Sequence, residues 1–272
     1  MARVDNLTNF LTDVANSIRE KKGTTDQIPA SSFDTEISSI QSGSSNTNDY
    51  FYETPNTWTN VDNFSTFVPF QFLIKKIPDF EIPSDVTTCE GLFNTNYYPN
   101  SSLLSIGKIT STASIISTAE MFYGLTALQS LDLSAFDTTH VTDMHSMFEN
   151  CSAITNLDLS NFDTLNVTNM SSMFSMCNSL TSLNLSNANT QNVTNMSDML
   201  MYCTRLTNLN ISNFDFTNVT NYENMFGKNE GNVGDFRVPA DCYILVKDAT
   251  AKEWITSKFD WLTNIHYVGE TE

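Results

Sequence analysis

Two hydrophobic rhythms alternate along the chain between residues 128 and 231. The first reads LQSLDL at 128–133, ITNLDL at 154–159, LTSLNL at 180–185 and LTNLNI at 206–211. Within it Leu131 and Leu133 flank Asp132, the period-two pattern of a short strand with one buried face. The second, VTDMHSMFENC at 141–151, places Val141, Met144, Met147, Phe148 and Cys151 at helical spacing. A threonine (Thr142, Thr168, Thr194, Thr220) stands where a helix N-cap would, and Thr220 with Glu223 has the pattern of a capping box. Strand, turn and short helix are therefore expected in each of 128–153, 154–179, 180–205 and 206–231, a period of 26 residues without insertion. Two degenerate copies precede them. Residues 74–93 match in Val86, Cys89, Leu92 and Phe93, and residues 104–122 match in Ile106, Ile115, Met121 and Phe122.

A fixed period of this length with an L-x-x-L-x-L core predicts an α/β leucine-rich-repeat solenoid over 74–231, with one short parallel strand and one short helix per repeat. Stacked at strand spacing, six such coils would give a continuous parallel sheet about 25–30 Å long. The third complete copy breaks the pattern. Ala188 replaces the phenylalanine found at 136, 162 and 214, and Leu200 replaces the one at 148, 174 and 226. Looser packing is expected there. The methionines at 147, 173, 199 and 225 read as core filler, not as metal ligands.

The flanks follow other patterns. Leu7, Phe10, Leu11, Val14 and Ile18 form one helical stripe, ended by Gly23 and Pro29, and Phe33, Ile37 and Ile40 continue as a second short helix. Two such helices cannot bury both stripes alone. Residues 1–40 are thus a small α-helical module, and these eight apolar residues are candidates for attachment or oligomerisation. Residues 41–49 (QSGSSNTND) read as a flexible linker. Residues 50–73, with Tyr50, Phe51, Tyr52, Trp58, Phe64, Phe67, Phe70 and Phe72, read as an aromatic cap on the first repeat, or as a platform for stacking sugar rings. Residues 232–272 suggest a strand, a helix and a final strand that cap the other end.

Charge narrows the range of partners. The net charge is −18, with 31 acidic and 13 basic residues, and no Lys/Arg cluster exists to displace counterions from nucleic acid. No apolar window is long enough to span a membrane, so no membrane insertion is expected. The N-terminus lacks the apolar core of an export signal. Of the five cysteines, Cys151, Cys177 and Cys203 recur once per repeat and read as buried thiols, not a disulfide ladder.

Catalytic patterns are missing from the sequence. No nucleophile elbow, HExxH or phosphate loop occurs, and His140, His145 and His266 are too scattered for a zinc site. The recurrent acids Asp137, Asp163 and Asp215, with Asn189 in the third copy, read as turn residues bonding local backbone. The NVT triplets at 166, 192 and 218 read as turn and cap chemistry. The chain is expected to be no enzyme and to need neither cofactor nor metal; calcium across Asp132 and Asp158 is a weak alternative, because the other members of that row are asparagine. The best candidate site is the exposed strand face. There Ser130, Asp132, Asn156, Asp158, Ser182, Asn184, Asn208 and Asn210 would offer hydrogen bonds to a glycan or a polar protein surface.

Two segments resemble known families. LDLSNFDTLNVTNMSSMFSMCNSL (157–180) resembles the repeats of BspA-like leucine-rich-repeat surface proteins of bacteria, a likeness that extends over 74–231; VPADCYILVKDATAKEWI resembles the unit that often follows such repeats. FLTDVANSIREKKGTTDQIPASSFDTEISSI (10–40) is similar to a short N-terminal module of virion and tail-associated proteins of phages and prophages of Gram-positive bacteria. Ile18, Arg19, Glu20, Lys21, Gly23, Thr24, Thr25, Asp26, Ile28 and Pro29 carry that likeness. Together they imply a non-enzymatic phage or prophage structural protein, tail- or fibre-associated, bound to other virion proteins through residues 1–40. Its repeats would adhere to a glycan or protein of the host surface. Such a protein folds in the host cytoplasm and is exposed on the particle, where a trimer would suit a fibre, although residues 1–40 lack three heptads. A bacterial cell-surface adhesin and a glycan-cleaving tail enzyme are the alternatives.

Overall fold

The computed structural model describes residues 76–77, 79–82, 86–95, 103–111, 114–228 and 235–270. The expectations for 1–40, 41–49 and 50–73 lie outside these residues. The described elements are β1 (Lys76–Ile77), β2 (Phe80–Ile82), β3 (Ser105–Ser111), β4 (Ser130–Ala135), β5 (Ser182–Asn184), β6 (Asn208–Ile211), β7 (Tyr243–Val246), α1 (Ala249–Lys258) and β8 (Ile265–Tyr267). All strand pairings are parallel. The fold is mixed α/β, with parallel strands and a single helix among the described residues.

The strands form two sheets, not one. In the first, β1, β2 and β4 all pair with β3; the second runs β5-β6-β7-β8. Residues 154–159, expected to bridge them, belong to no strand. Lys108 faces Asp132 across β3 and β4, and Asn184 faces Asn210 across β5 and β6. At the break Asp158 follows Asp132 in the outward row, a like-charge neighbour that weakens pairing on that side.

The expected short helices are also absent. Residues 141–151 instead run through successive β-turns. The amides of Met147, Glu149 and Cys151 donate to the carbonyls of Met144, Ser146 and Phe148 at 3.3, 3.1 and 3.1 Å. Ser146 and Asn150 sit third in two of these turns with φ of 52° and 59°, the left-handed conformation a type II turn requires and an α-helix forbids. The same pair of positive angles recurs at Ser172 and Met176 and at Asp198 and Tyr202.

The alternate amides explain why this is stable. Those of Met144, Ser146, Phe148 and Asn150 donate to the carbonyls of Asn169, Ser171, Met173 and Ser175, each 25 residues on, at 3.0, 2.9, 3.0 and 2.8 Å. From Met144 to Cys151 each main-chain donor thus finds an acceptor in its own turn or in the next copy. The threonines taken for N-caps belong to this ladder as well. The hydroxyls of Thr168, Thr194 and Thr220 donate to the carbonyls of Thr142, Thr168 and Thr194 at 3.1, 3.2 and 3.2 Å. No helix follows Thr220 for a capping box to serve.

The predicted core positions are buried, apart from Val86, Leu131 and Leu157, which are half-buried against the core. Phe93, Phe122, Phe148 and Phe174 stack ring on ring, with centroids 5.5, 5.5 and 5.7 Å apart, and the stack ends where Leu200 replaces phenylalanine. The looser packing expected in the third copy is present. A cavity of about 10 Å³ lies among Leu159, Phe162, Met173, Ala188, Met199 and Phe214, where the shortened side chain at 188 leaves the column of phenylalanines incomplete. Cys151, Cys177 and Cys203 are free and buried, each pointing its Sγ at a carbonyl of the preceding copy.

The terminal unit is strand, helix, strand, as expected. β7 pairs with β6, and Asp248 caps α1 by accepting the Ala251 amide at 2.9 Å. Trp254 of α1 stacks on Phe216 at 4.4 Å, and Phe259 meets Phe226 edge-on at 4.9 Å, so the last copy's apolar end is covered.

Candidate interaction face

Alternation within each strand decides what points outward. In β5 Leu183 is buried between exposed Ser182 and Asn184; in β6 Leu209 and Ile211 are buried. Ser130, Asp132, Asn156, Asp158, Ser182, Asn184 and Asn208 are exposed, and Asn210 is half-buried. Register brings Ser182 beside Asn208 and Asn184 beside Asn210. Ser130 and Asp132 lie in the other sheet, beside Ser105 and Lys108. Asn156 and Asp158 fall between the sheets, outside any strand.

The two rows differ in a way that spacing alone did not reveal. Asp132, Asp158, Asn184 and Asn210 each turn Oδ1 back to accept the amide two residues on, from Ser134, Ser160, Ser186 and Ser212, at 3.0, 3.0, 3.1 and 3.1 Å. These are Asx-turns, so part of the row's bonding capacity is already used. Ser130, Ser182 and Asn208 form no such turn among the described residues. The Ser134 hydroxyl and amide hold the Asp132 carboxyl below its usual range, and the Ser160 amide and hydroxyl do the same for Asp158. Both acids stay ionised at neutral pH.

The turn acids behave as the sequence suggested. Oδ1 of Asp137, Asp163, Asn189 and Asp215 accepts the amide of Thr139, Leu165, Gln191 and Thr217 at 2.9, 2.9, 3.0 and 2.9 Å. In the NVT triplets, Asn166, Asn192 and Asn218 each donate their side-chain amide to a carbonyl of the preceding copy at 2.7 Å. His140 is exposed, whereas His145 is half-buried between Asp143 at 3.0 Å and Glu120 at 3.7 Å. Among the described residues no cluster of three or more His, Cys, Asp or Glu could hold a metal ion, and no helix is long and apolar enough to cross a membrane. The apolar candidates Leu7, Phe10, Leu11, Val14, Ile18, Phe33, Ile37 and Ile40 fall outside the described residues.

Tyr243, Leu245 and His266 join this face without having been singled out. Tyr243 is in register with Asn208, and Leu245 with Asn210 and His266. The alternation in YILV was the available signal, but it sits beyond the last repeat, where the period gives no register.

Residues 116–236 match a family model described as Mycoplasma protein of unknown function, DUF285. This agrees with the BspA-like character of the repeats. No curated protein and no solved structure matches the chain. The likeness of residues 10–40 to a phage module gains no support from these comparisons. Over residues 116–236 the chain is therefore similar to a family of bacterial repeat proteins, and that similarity stops short of both termini.

Proposed function

We propose that the 26-residue segments stack as the turns of a leucine-rich-repeat solenoid, and that this solenoid is a non-catalytic adhesion domain for a bacterial cell surface. The observation that carries the reading is the copy-to-copy ladder. Main-chain amides, threonine hydroxyls and asparagine amides all bond from one copy to its neighbour. That arrangement fixes a polar outer face in place at little entropic cost on binding. The family match over 116–236 supports a repeat protein of the bacterial surface type.

In the fuller form of this proposal the carrier is a phage or prophage virion. Residues 1–40 join the tail or fibre, as a homo-oligomer, and the repeats reach the host. The test is protein identification on purified particles from induced Gram-positive hosts. The chain should be a stoichiometric component, and deletion of residues 1–40 should remove it from particles while leaving the cooperative melting transition of the repeats unchanged. The match to a family drawn from Mycoplasma favours a second reading, a bacterial surface adhesin. Recovery from the cell envelope and absence from particles would select it.

A further inference from the structure

Side chains on the polar face stay short as far as β6 and then change. In β7 Ile244 and Val246 are buried, so Tyr243 and Leu245 point to the same side as Asn208 and Asn210, their partners in register. Tyr243 is 37% exposed. Its ring lies on the His266 imidazole, with centroids 4.8 Å apart and planes 15° from parallel. His266 is itself fixed, by Asn264 Oδ1 at 2.8 Å and by the Glu270 carboxylate at 3.6 Å. His266 covers one face of the ring, and the shorter Asn208 is the register partner on the opposite side of β7.

The result is a step in the surface. Ser182, Asn184, Asn208 and Asn210 make its floor, and Tyr243 and Leu245 make its wall. Neither floor nor wall carries a formal charge, in a chain of net charge −18. We infer that this step binds one residue of a neutral glycan, its C–H face against the Tyr243 ring and its hydroxyls bonded to Asn208, Asn184 and Ser182. A pyranose has both parts this surface asks for. Its polarised C–H groups suit the negative face of an aromatic ring, and its hydroxyls both donate and accept, as amides and serine do. An anionic wall polymer would be repelled by the field of the whole molecule. The Glu270 carboxylate behind the wall is already paired with Lys252 at 2.6 Å, which leaves little to hold a basic peptide. The inference rests on the adhesion reading and narrows it to one end of the face and one ligand class.

The test uses the full-length chain against an array of neutral hexose and N-acetylhexosamine oligosaccharides, with sialylated and phosphorylated counterparts, and in parallel against intact cells. Neutral oligosaccharides should bind. Tyr243→Ala should weaken them about tenfold, Tyr243→Phe should restore most of the affinity, and Asp132→Asn with Asp158→Asn should change little. Should Tyr243→Ala lower the melting temperature, Asn208→Trp provides the second variant, because it fills the floor and leaves the packed side alone. Binding of anionic oligosaccharides only, or neutral binding indifferent to both variants, overturns the step. A chain that binds cells but no oligosaccharide also overturns it, and leaves adhesion standing through a protein receptor. A chain that binds oligosaccharides through Tyr243 but no cells keeps the step and removes the adhesion reading.

Discussion

Thr190 shows how much one side chain can hold between neighbouring copies. Fully buried, its hydroxyl donates to the Asp215 carbonyl at 3.0 Å and accepts the Asp215 amide at 2.7 Å; Thr138 makes the same pair of bonds to Asp163. Thr190→Val keeps the volume and removes both bonds, so urea unfolding should show a loss of about 1–3 kcal/mol. A loss below a few tenths would mean the ladder does not depend on this hydroxyl. Burial is the main influence on the cysteine thiols. It raises the Cys89, Cys177 and Cys242 thiols to about 12 and those of Cys151 and Cys203 well above their ordinary value. All five should resist a thiol reagent in the native chain and react only on unfolding; a fast-reacting thiol would contradict this. Glu149 has the opposite relation to stability from Asp215, whose carboxyl the Thr217 hydroxyl and amide hold below its usual range. Burial, then Glu120 and Asp198, raise its carboxyl above the usual range against a hydrogen bond from Ser146. The folded chain therefore holds that proton to higher pH than the unfolded chain does, and stability falls as pH rises through the raised value. Glu149→Gln should raise the melting temperature near pH 7 and leave it almost unchanged near pH 4, where the native carboxyl is protonated; equal shifts at both would refute this.

At the scale of elements, the alternating segments and the sequence period reported which residues are buried more faithfully than how the backbone runs. LQSLDL and LTNLNI do contain strands, and Val141, Met144, Met147, Phe148 and Cys151 are all buried. The helix was misread because a chain of β-turns buries nearly the same positions as an amphipathic helix. What separates the two is positive φ at Ser146 and Asn150, and serine in particular gives little sign of that conformation. The break between the sheets falls at 154–159, where ITNLDL keeps the alternation of its neighbours, so alternation alone gave no sign of it. The site was legible in the same partial way. Seven of its eight strand-face residues are exposed and one is half-buried, but the Asx-turns and the Tyr243 wall needed atomic register. The junction with the terminal unit rests on Gly227. Its φ is +89°, and a Cβ there would run into the carbonyl of Phe236. Gly227→Ala should therefore cost about 2 kcal/mol or more and expose the amides of Phe236 and Val238, which donate to Lys228 and Phe226 across the seam, to hydrogen exchange first. Uniform protection across that seam would show it is not a weak joint.

At the scale of the whole molecule, the copies share one apolar core running from Ile82 to Ile265, and the polar residues that recur outside it are largely tied to neighbouring backbone. Those bonds hold the outer surface in fixed register, and the net charge of −18 favours solubility and repels anionic partners. The strongest demand on the adhesion reading falls on the row that is free of Asx-turn bonds. The decisive measurement is equilibrium binding of the full-length chain to intact Gram-positive cells, alongside a variant carrying Asn156→Arg and Asn208→Arg. Saturable binding by the native chain, weakened at least about tenfold in the variant at an unchanged melting temperature, is the predicted result. Saturable binding that the variant leaves intact, or none on any host strain, would contradict the assignment of this face.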